Sequence, residues 1–258
     1  MKSFKIFILF FVLILLGSEI SPGWATVAEP PSFPKQKWSF NGVRGTFDRA
    51  ALQRGFQVYK EVCSACHGLS LLNYRDLAAL GYSEAEIKAI ASQYEVRDGP
   101  NDEGEMYDRP ARPTDFFVEP FKNEKAARAA NNGAFPPDLS LMIKARAGGT
   151  DYVYALLTGF REPPEGIHIQ EGMHYNTYFP GHQIAMTPPL HKDLLTYHDG
   201  TEATINQMAH DVVTFLAWAA EPEMEARKAI GIRVMLFMGV LTLLLYFAMK
   251  RIWRRLDV

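Results

Sequence analysis

Cys63-Ser64-Ala65-Cys66-His67 decides how this chain is read, because it contains both cysteines of the 258 residues. A C-x-x-C-H pentapeptide is the attachment pattern of c-type haem. Two thiols three positions apart can each form a thioether to one vinyl group of the same porphyrin. The adjoining His67 then stands beneath the iron as an axial ligand. A redox Cys pair calls for a βαβ setting, whereas the residues upstream have helical spacing. A structural zinc site needs four ligands, and His168, His174, His182, His191, His198 and His210 form no H-x3-5-H pair.

The ends of the chain place this motif outside a membrane. Lys2 and Lys5 precede an apolar run from Ile6 to Leu16, and Gly23-Trp24-Ala25 offers the small residues of a cleavage site. This predicts a bacterial secretory signal over 1–25, with Ala28 as the alternative cleavage point. From Ile230 to Met249 the chain is apolar except for Arg233, and Lys250, Arg251, Arg254 and Arg255 follow. About twenty such residues cross a bilayer, and basic residues beyond them stay in the cytoplasm. The expected organisation is therefore a signal at 1–25, a periplasmic haem domain at 26–226, an anchor at 227–250 and a cytoplasmic tail at 251–258. Lysine and arginine number 27 against 29 aspartate and glutamate, a balance that argues against a nucleic-acid binder.

Between the ends, the pattern is helical with long loops. Glu29 to Trp38 is proline-rich and reads as an extended arm rather than a packed element. Asp48 caps a helix carrying Leu52, Phe56, Tyr59 and Val62 into Cys63. Ser83-Glu84-Ala85-Glu86 is a capping box. Val96 to Thr114, poor in apolar residues, reads as a long surface loop. Asn123 caps a short Ala-rich helix, Asp138 another that stops at Gly148-Gly149, and Asp151 a third ending at Gly159. Glu162 to Leu190 reads as an ordered loop region. Ile205, Met208, Val212, Phe215, Leu216 and Ala219 mark the last helix before the anchor. The fold class is mainly α: a c-type cytochrome domain with long ordered loops plus one C-terminal transmembrane helix.

The sixth iron position decides the chemistry. A Met thioether closes it and suits electron transfer, while an open face permits ligand binding or peroxide chemistry. The candidates are Met106, Met142, Met173, Met186, Met208 and Met224, or a His. Met142, Met208 and Met224 lie in helical patterns and read as packing. Met186 stands before Pro188 and Pro189 and after Pro180, in a stiffened backbone that can present a sulfur. A membrane-anchored haem sensor or peroxidase with an open sixth position is the competing reading.

Larger motifs narrow this. Arg54-Gly55-Phe56-Gln57-Val58-Tyr59-Lys60-Glu61-Val62-Cys63 is followed by Asp98-Gly99-Pro100-Asn101, then Ala126 to Ala134 and Pro136-Pro137-Asp138-Leu139-Ser140. Gly149 to Gly159, the Met186 loop, and Asp211 to Pro222 complete the series. In content and order these resemble the cytochrome c1 family, the haem subunits of cytochrome bc1 complexes. The resemblance implies one haem c on Cys63 and Cys66, with His67 and Met186 as the axial pair. It also implies Arg146 beside a haem propionate, and Tyr152, Asn131 and Pro137 in the haem pocket. Its partners would be cytochrome b, a Rieske iron–sulfur protein and a cytochrome c acceptor, in a dimeric complex of the bacterial inner membrane. Such a chain is no enzyme alone but an electron-transfer subunit of a quinol–cytochrome c reductase. Asp98, Asp102, Glu103, Glu105 and Asp108 form an acidic stretch that by itself reads as an ordinary solvated loop, and that in an electron-transfer subunit would suit docking of a basic cytochrome.

Overall fold

Two helices from opposite ends of the haem domain form its centre. In the computed structural model, which describes residues 32–255, α1 spans Arg49–Glu61 and α5 spans Ile205–Ala220. Asp48 caps α1 by accepting from the amides of Ala50 (2.9 Å) and Ala51 (3.4 Å). Thr204 caps α5 through the amide of Gln207 at 3.1 Å. Their apolar stripes face each other. Leu52, Phe56, Val58 and Tyr59 on α1, with Met208, Val212, Phe215 and Leu216 on α5, are all buried. Each such side chain contributes about 1.5–3 kcal/mol relative to exposure. A Cβ at Gly55 would lie 2.1 Å from the Asp211 carbonyl oxygen, so the two backbones touch where the helices cross.

Shorter elements complete the domain. They are α2 (Glu84–Ala91), α3 (Glu124–Ala130) and α4 (Gly149–Thr158), with 3-10 turns at Cys63–Ala65 and Tyr74–Leu80. The capping box of α2 forms as expected: Ser83 donates its amide to Glu86 at 2.8 Å, and the Glu86 amide donates back to Ser83 Oγ at 3.3 Å. The 3-10 helix at Tyr74–Leu80 was not anticipated. Asn73 and Asp76 cap it reciprocally, and it buries Tyr74, Leu77 and Leu80.

Four expectations need correction. Val96 to Thr114 is not a plain loop, because β1 (Glu95–Asp98) pairs antiparallel with β2 (Tyr107–Pro110). The hairpin is held by charge rather than apolar alternation: Arg109 reaches both Asp98 and, at 2.6 Å, Asp115. Residues 139–148 form turns rather than a helix: Asp138 accepts from the amides of Ser70 and Ser140, each at 2.8 Å, and the chain then closes through short turns such as Met142 to the Leu139 carbonyl at 3.2 Å. The cap of α4 is Gly148, not Asp151. Asp151 instead accepts from Trp38 Nε1 (2.8 Å) and the Gln36 amide (3.1 Å). The arm before α1 is therefore extended but packed. Trp38 is buried and stacks on His210 of α5 with ring centroids 4.7 Å apart.

Residues 162–190 are mostly irregular, as expected, but contain a small hairpin of β3 (His174–Tyr175) and β4 (Gln183–Ile184). The chain then continues through α5 into α6 (Met224–Trp253). This is the single helix among the described residues long and apolar enough to cross a membrane, and none of its apolar window is buried. At 1.5 Å per residue it is about 45 Å long. The expected export signal, at 1–25, lies outside the described residues.

Candidate haem site

The end of α1 delivers the attachment motif. Val62 closes the helix onto Val58 at 3.0 Å, and the amides of Cys66 (3.1 Å) and His67 (2.9 Å) both donate to the Cys63 carbonyl. The pentapeptide is thus a single tight turn bearing two thiols and an imidazole. Both cysteines are free and half-buried. Burial pushes the Cys63 thiol up to about 12, with Cys66 adding to the effect. No group of three or more potential metal ligands exists among the described residues.

His67 is oriented by a second segment. Its Nδ1 lies 2.7 Å from the Pro137 carbonyl oxygen. A carbonyl only accepts, so Nδ1 carries the proton and the Nε2 lone pair is available for a metal. Burial lowers the imidazole pKa, outweighing the opposing pull of the Pro137 hydrogen bond and Asp138. The ring is therefore held neutral, the state ligation needs. The Tyr59 hydroxyl donates to the His67 carbonyl at 3.1 Å.

The two segments are fastened along their length. Leu139 donates to the Gly68 carbonyl at 2.9 Å, and Leu71 donates to Ser140 Oγ at 3.2 Å. Burial raises the pKa of Asp138, but the Ser70 and Ser140 hydrogen bonds outweigh it and keep the pKa below the ordinary aspartate value. Gly68 has no room for a side chain: a Cβ there would lie 2.0 Å from Glu119 Oε2. Burial, then the nearby Asp138 charge, raises the Glu119 pKa.

The other expected residues each make local contacts of their own. Arg146 is exposed, makes no ion pair among the described residues, and donates only to the Ala145 carbonyl at 3.1 Å. Its charge reaches Tyr152, whose hydroxyl pKa is raised by burial and partly restored by Arg146. Tyr152 itself is buried edge-on to Phe33. Asn131 donates its amide to the Ala127 carbonyl at 2.7 Å and so closes α3. Met186 is half-buried two residues beyond the end of β4. Its hairpin is tied to α4 through the fully buried Asn176, which donates to the Leu156 carbonyl at 2.8 Å and accepts from the amides of Tyr178 and Phe179. No hydrogen bond joins Met186 to His67.

These residues fit a covalently held haem. Two thiols and an imidazole with a committed Nδ1 share one turn. Phe135 and Leu141, on either side of the Pro137 segment, are exposed large apolar side chains of the kind a porphyrin face covers. Arg146 has no carboxylate of its own. Sequence reading missed Tyr59, Asp138 and Glu119 as parts of the site, since their roles arise from tertiary contacts.

Comparison with known proteins agrees with this geometry. The profile of the Cytochrome C1 family matches residues 38–256. "Cytochrome c1" of Rhodospirillum rubrum is 49% identical over 260 residues, covering 94% of this chain and 96% of the relative. "Cytochrome c1 1, heme protein, mitochondrial" of Arabidopsis thaliana is 51% identical over 86% of this chain and 75% of the relative. "Cytochrome b/c1" of Bradyrhizobium diazoefficiens is 52% identical over 85% of this chain, which spans only 35% of that longer protein. The chain therefore belongs to the cytochrome C1 family, the membrane-anchored haem subunits of cytochrome bc1 complexes.

Proposed function

We propose that this chain is the electron-transfer subunit of a quinol–cytochrome c reductase. It holds one haem c through Cys63 and Cys66, takes an electron from a Rieske iron–sulfur protein and passes it to a cytochrome c. The observation that carries this reading is the His67 Nδ1 contact with Pro137 O at 2.7 Å. It fixes tautomer and ring plane before any metal is present, which limits reorganisation at the ligand. When bound, the haem supplies a one-electron couple whose potential depends on its axial ligands and burial.

The chain's residues would divide the remaining tasks. Met186, presented by the Asn176-braced hairpin, would close the sixth position. Arg146 would face a propionate, with the buried Tyr152 beneath it. Pro137 acts through its carbonyl, and Asn131 acts indirectly by ending α3 ahead of that segment. The domain would lie in the periplasm of a bacterial inner membrane, with α6 as its anchor and the basic residues after Met249 in the cytoplasm.

The acidic hairpin would dock the acceptor. Asp98 is already paired with Arg109, which leaves Asp102, Glu103, Glu105 and Asp108 exposed for that role. Purification of the anchored protein in mild detergent tests the assignment. Cytochrome b and the iron–sulfur protein should accompany it at constant ratio through successive columns. Its isolation alone, with haem intact, would contradict the reading.

A further inference from the structure

The loop Asn41-Gly42-Val43-Arg44-Gly45 projects beside the start of the anchor helix. Its two stems are buried: Phe40 and Phe47 pack with ring centroids 5.1 Å apart in the core. Its tip is not. Val43 is 73% exposed, the same as Met235 in the anchor. Gly42 has a φ of +78°, and a Cβ at Gly45 would lie 2.1 Å from the Asn41 carbonyl oxygen. The loop therefore closes on itself as a rigid knob that only glycine at these two positions allows.

Hydrogen bonds to α6 fix where the base of the knob sits. Glu225 accepts from the Phe47 amide and from Arg49 Nη2, both at 2.7 Å. Lys228, three residues further along the helix, donates to the carbonyls of Phe40 at 2.6 Å and Gly45 at 3.1 Å. The base of the loop, at Phe40, Gly45 and Phe47, is thus held against the first turns of α6. Ala229 and Ile230 follow Lys228 at once, so the apolar stretch of α6 begins just beyond the base of the loop. The Lys228 ammonium is taken up by the two carbonyls. Arg44, exposed at the tip, makes no ion pair among the described residues.

We propose that this knob is a second membrane contact, seating Val43 in the interfacial layer and Arg44 on a lipid phosphate. An apolar tip beside a guanidinium matches the boundary between acyl chains and headgroups. Because the knob is already closed, little conformational freedom is lost when it meets the surface. The haem domain would then rest on the bilayer at two places, the anchor and the knob, and would resist tilting about the anchor. This inference rests on the reading of α6 as the anchor.

Spin labelling of the full-length holoprotein in lipid nanodiscs tests it, since its own two cysteines are consumed by haem. Labels at Val43→Cys, at Leu243→Cys within the anchor and at Asp102→Cys on the acidic hairpin are compared for collision with oxygen and with a water-soluble nickel chelate. The oxygen-to-chelate ratio at Val43→Cys should exceed that at Asp102→Cys several-fold and approach that at Leu243→Cys. A ratio equal to that at Asp102→Cys, or protection from both probes by a covering protein, would overturn the proposal. If Leu243→Cys itself behaves as water-exposed, the anchor reading fails and the proposal with it. Adding Arg44→Glu to Val43→Cys should lower the ratio in discs containing phosphatidylglycerol, and an unchanged ratio would remove the phosphate contact.

Discussion

Gly55 and Asp211 meet where the first and last helices of the haem domain cross, so closely that a Cβ on Gly55 would stand 2.1 Å from the Asp211 carbonyl oxygen. One residue earlier, Arg54 grips the Asp211 carboxylate in a fork, Nε to Oδ2 at 2.8 Å and Nη2 to Oδ1 at 3.1 Å. A third contact runs from Arg54 Nη1 to Asp199 at 2.8 Å. The Asp211 side chain is fully buried, so this bidentate pair fixes the helix register in a low-dielectric setting.

Gly55→Ala should separate the helices and cost about 1–3 kcal/mol through overpacking. Asp211→Ala should cost more, about 3–5 kcal/mol, because it takes the buried carboxylate from the Arg54 guanidinium and leaves it only the more exposed Asp199. Denaturant unfolding of the holoprotein checks both. A loss below that of Gly55→Ala in the Asp211 variant would contradict the buried-pair account.

The start of the helix pair also predicts a pH effect. The Thr201 amide, then the Arg54 hydrogen bond, hold the Asp199 carboxylate down at about 2. A depressed folded-state pKa gives stability that is fully present above the ordinary aspartate value of about 3.9 and is lost as pH falls toward the folded value. The stability difference between the wild type and Asp199→Asn should therefore be constant near neutrality and shrink as pH drops from about 4 to about 2. Thermal unfolding across that range measures it, and a difference that grows on acidification would reverse the assigned sign.

Gly68 makes the haem turn sensitive to one methyl group. A side chain there would meet the Glu119 carboxylate, the mobile end of a flexible residue. Gly68→Ala should reduce the yield of haem-loaded protein, and adding Glu119→Ala should restore most of it. Haem-stained gels against total protein give the readout. Failure of the second change to rescue would show that backbone conformation, not Glu119, demands the glycine.

The acidic hairpin should govern encounter with a basic acceptor. Converting Asp102, Glu103, Glu105 and Asp108 to amides should lower the association rate at low ionic strength by about tenfold or more and flatten its salt dependence. Asp98→Asn should instead loosen the hairpin, since it removes a partner of Arg109. Stopped-flow oxidation by a basic cytochrome c separates these effects, and an unaltered salt slope in the fourfold variant would count against docking here.

What was legible in the sequence were local patterns with physical periods. The α1 stripe from Leu52 to Tyr59, the Ser83–Glu86 capping box and the apolar run before Lys250 each announce their structure within a few residues. The β1–β2 hairpin did not, because Arg109 stabilises it through Asp98 and Asp115 rather than by alternating apolar residues. The turns after Asp138 were misread for a related reason. Asp138 makes its local bond to Ser140 but also binds the distant Ser70 amide, a contact that only the folded chain creates. Within the site, Cys63, Cys66 and His67 declare themselves by spacing. The Pro137 carbonyl offers no side-chain signal, and its role entered only through the family resemblance. Asn131 likewise entered as a haem-pocket residue only through that resemblance, and its amide closes α3.

The central claim is that His67 and Met186 close both faces of one haem. The most direct test is the absorption spectrum of the reduced protein, with and without carbon monoxide, for the wild type and Met186→Leu. The account predicts a low-spin wild type that does not react with carbon monoxide and a variant that binds it. A wild type that binds carbon monoxide as readily as the variant would mean an open sixth position, and would contradict electron transfer as the function of this site.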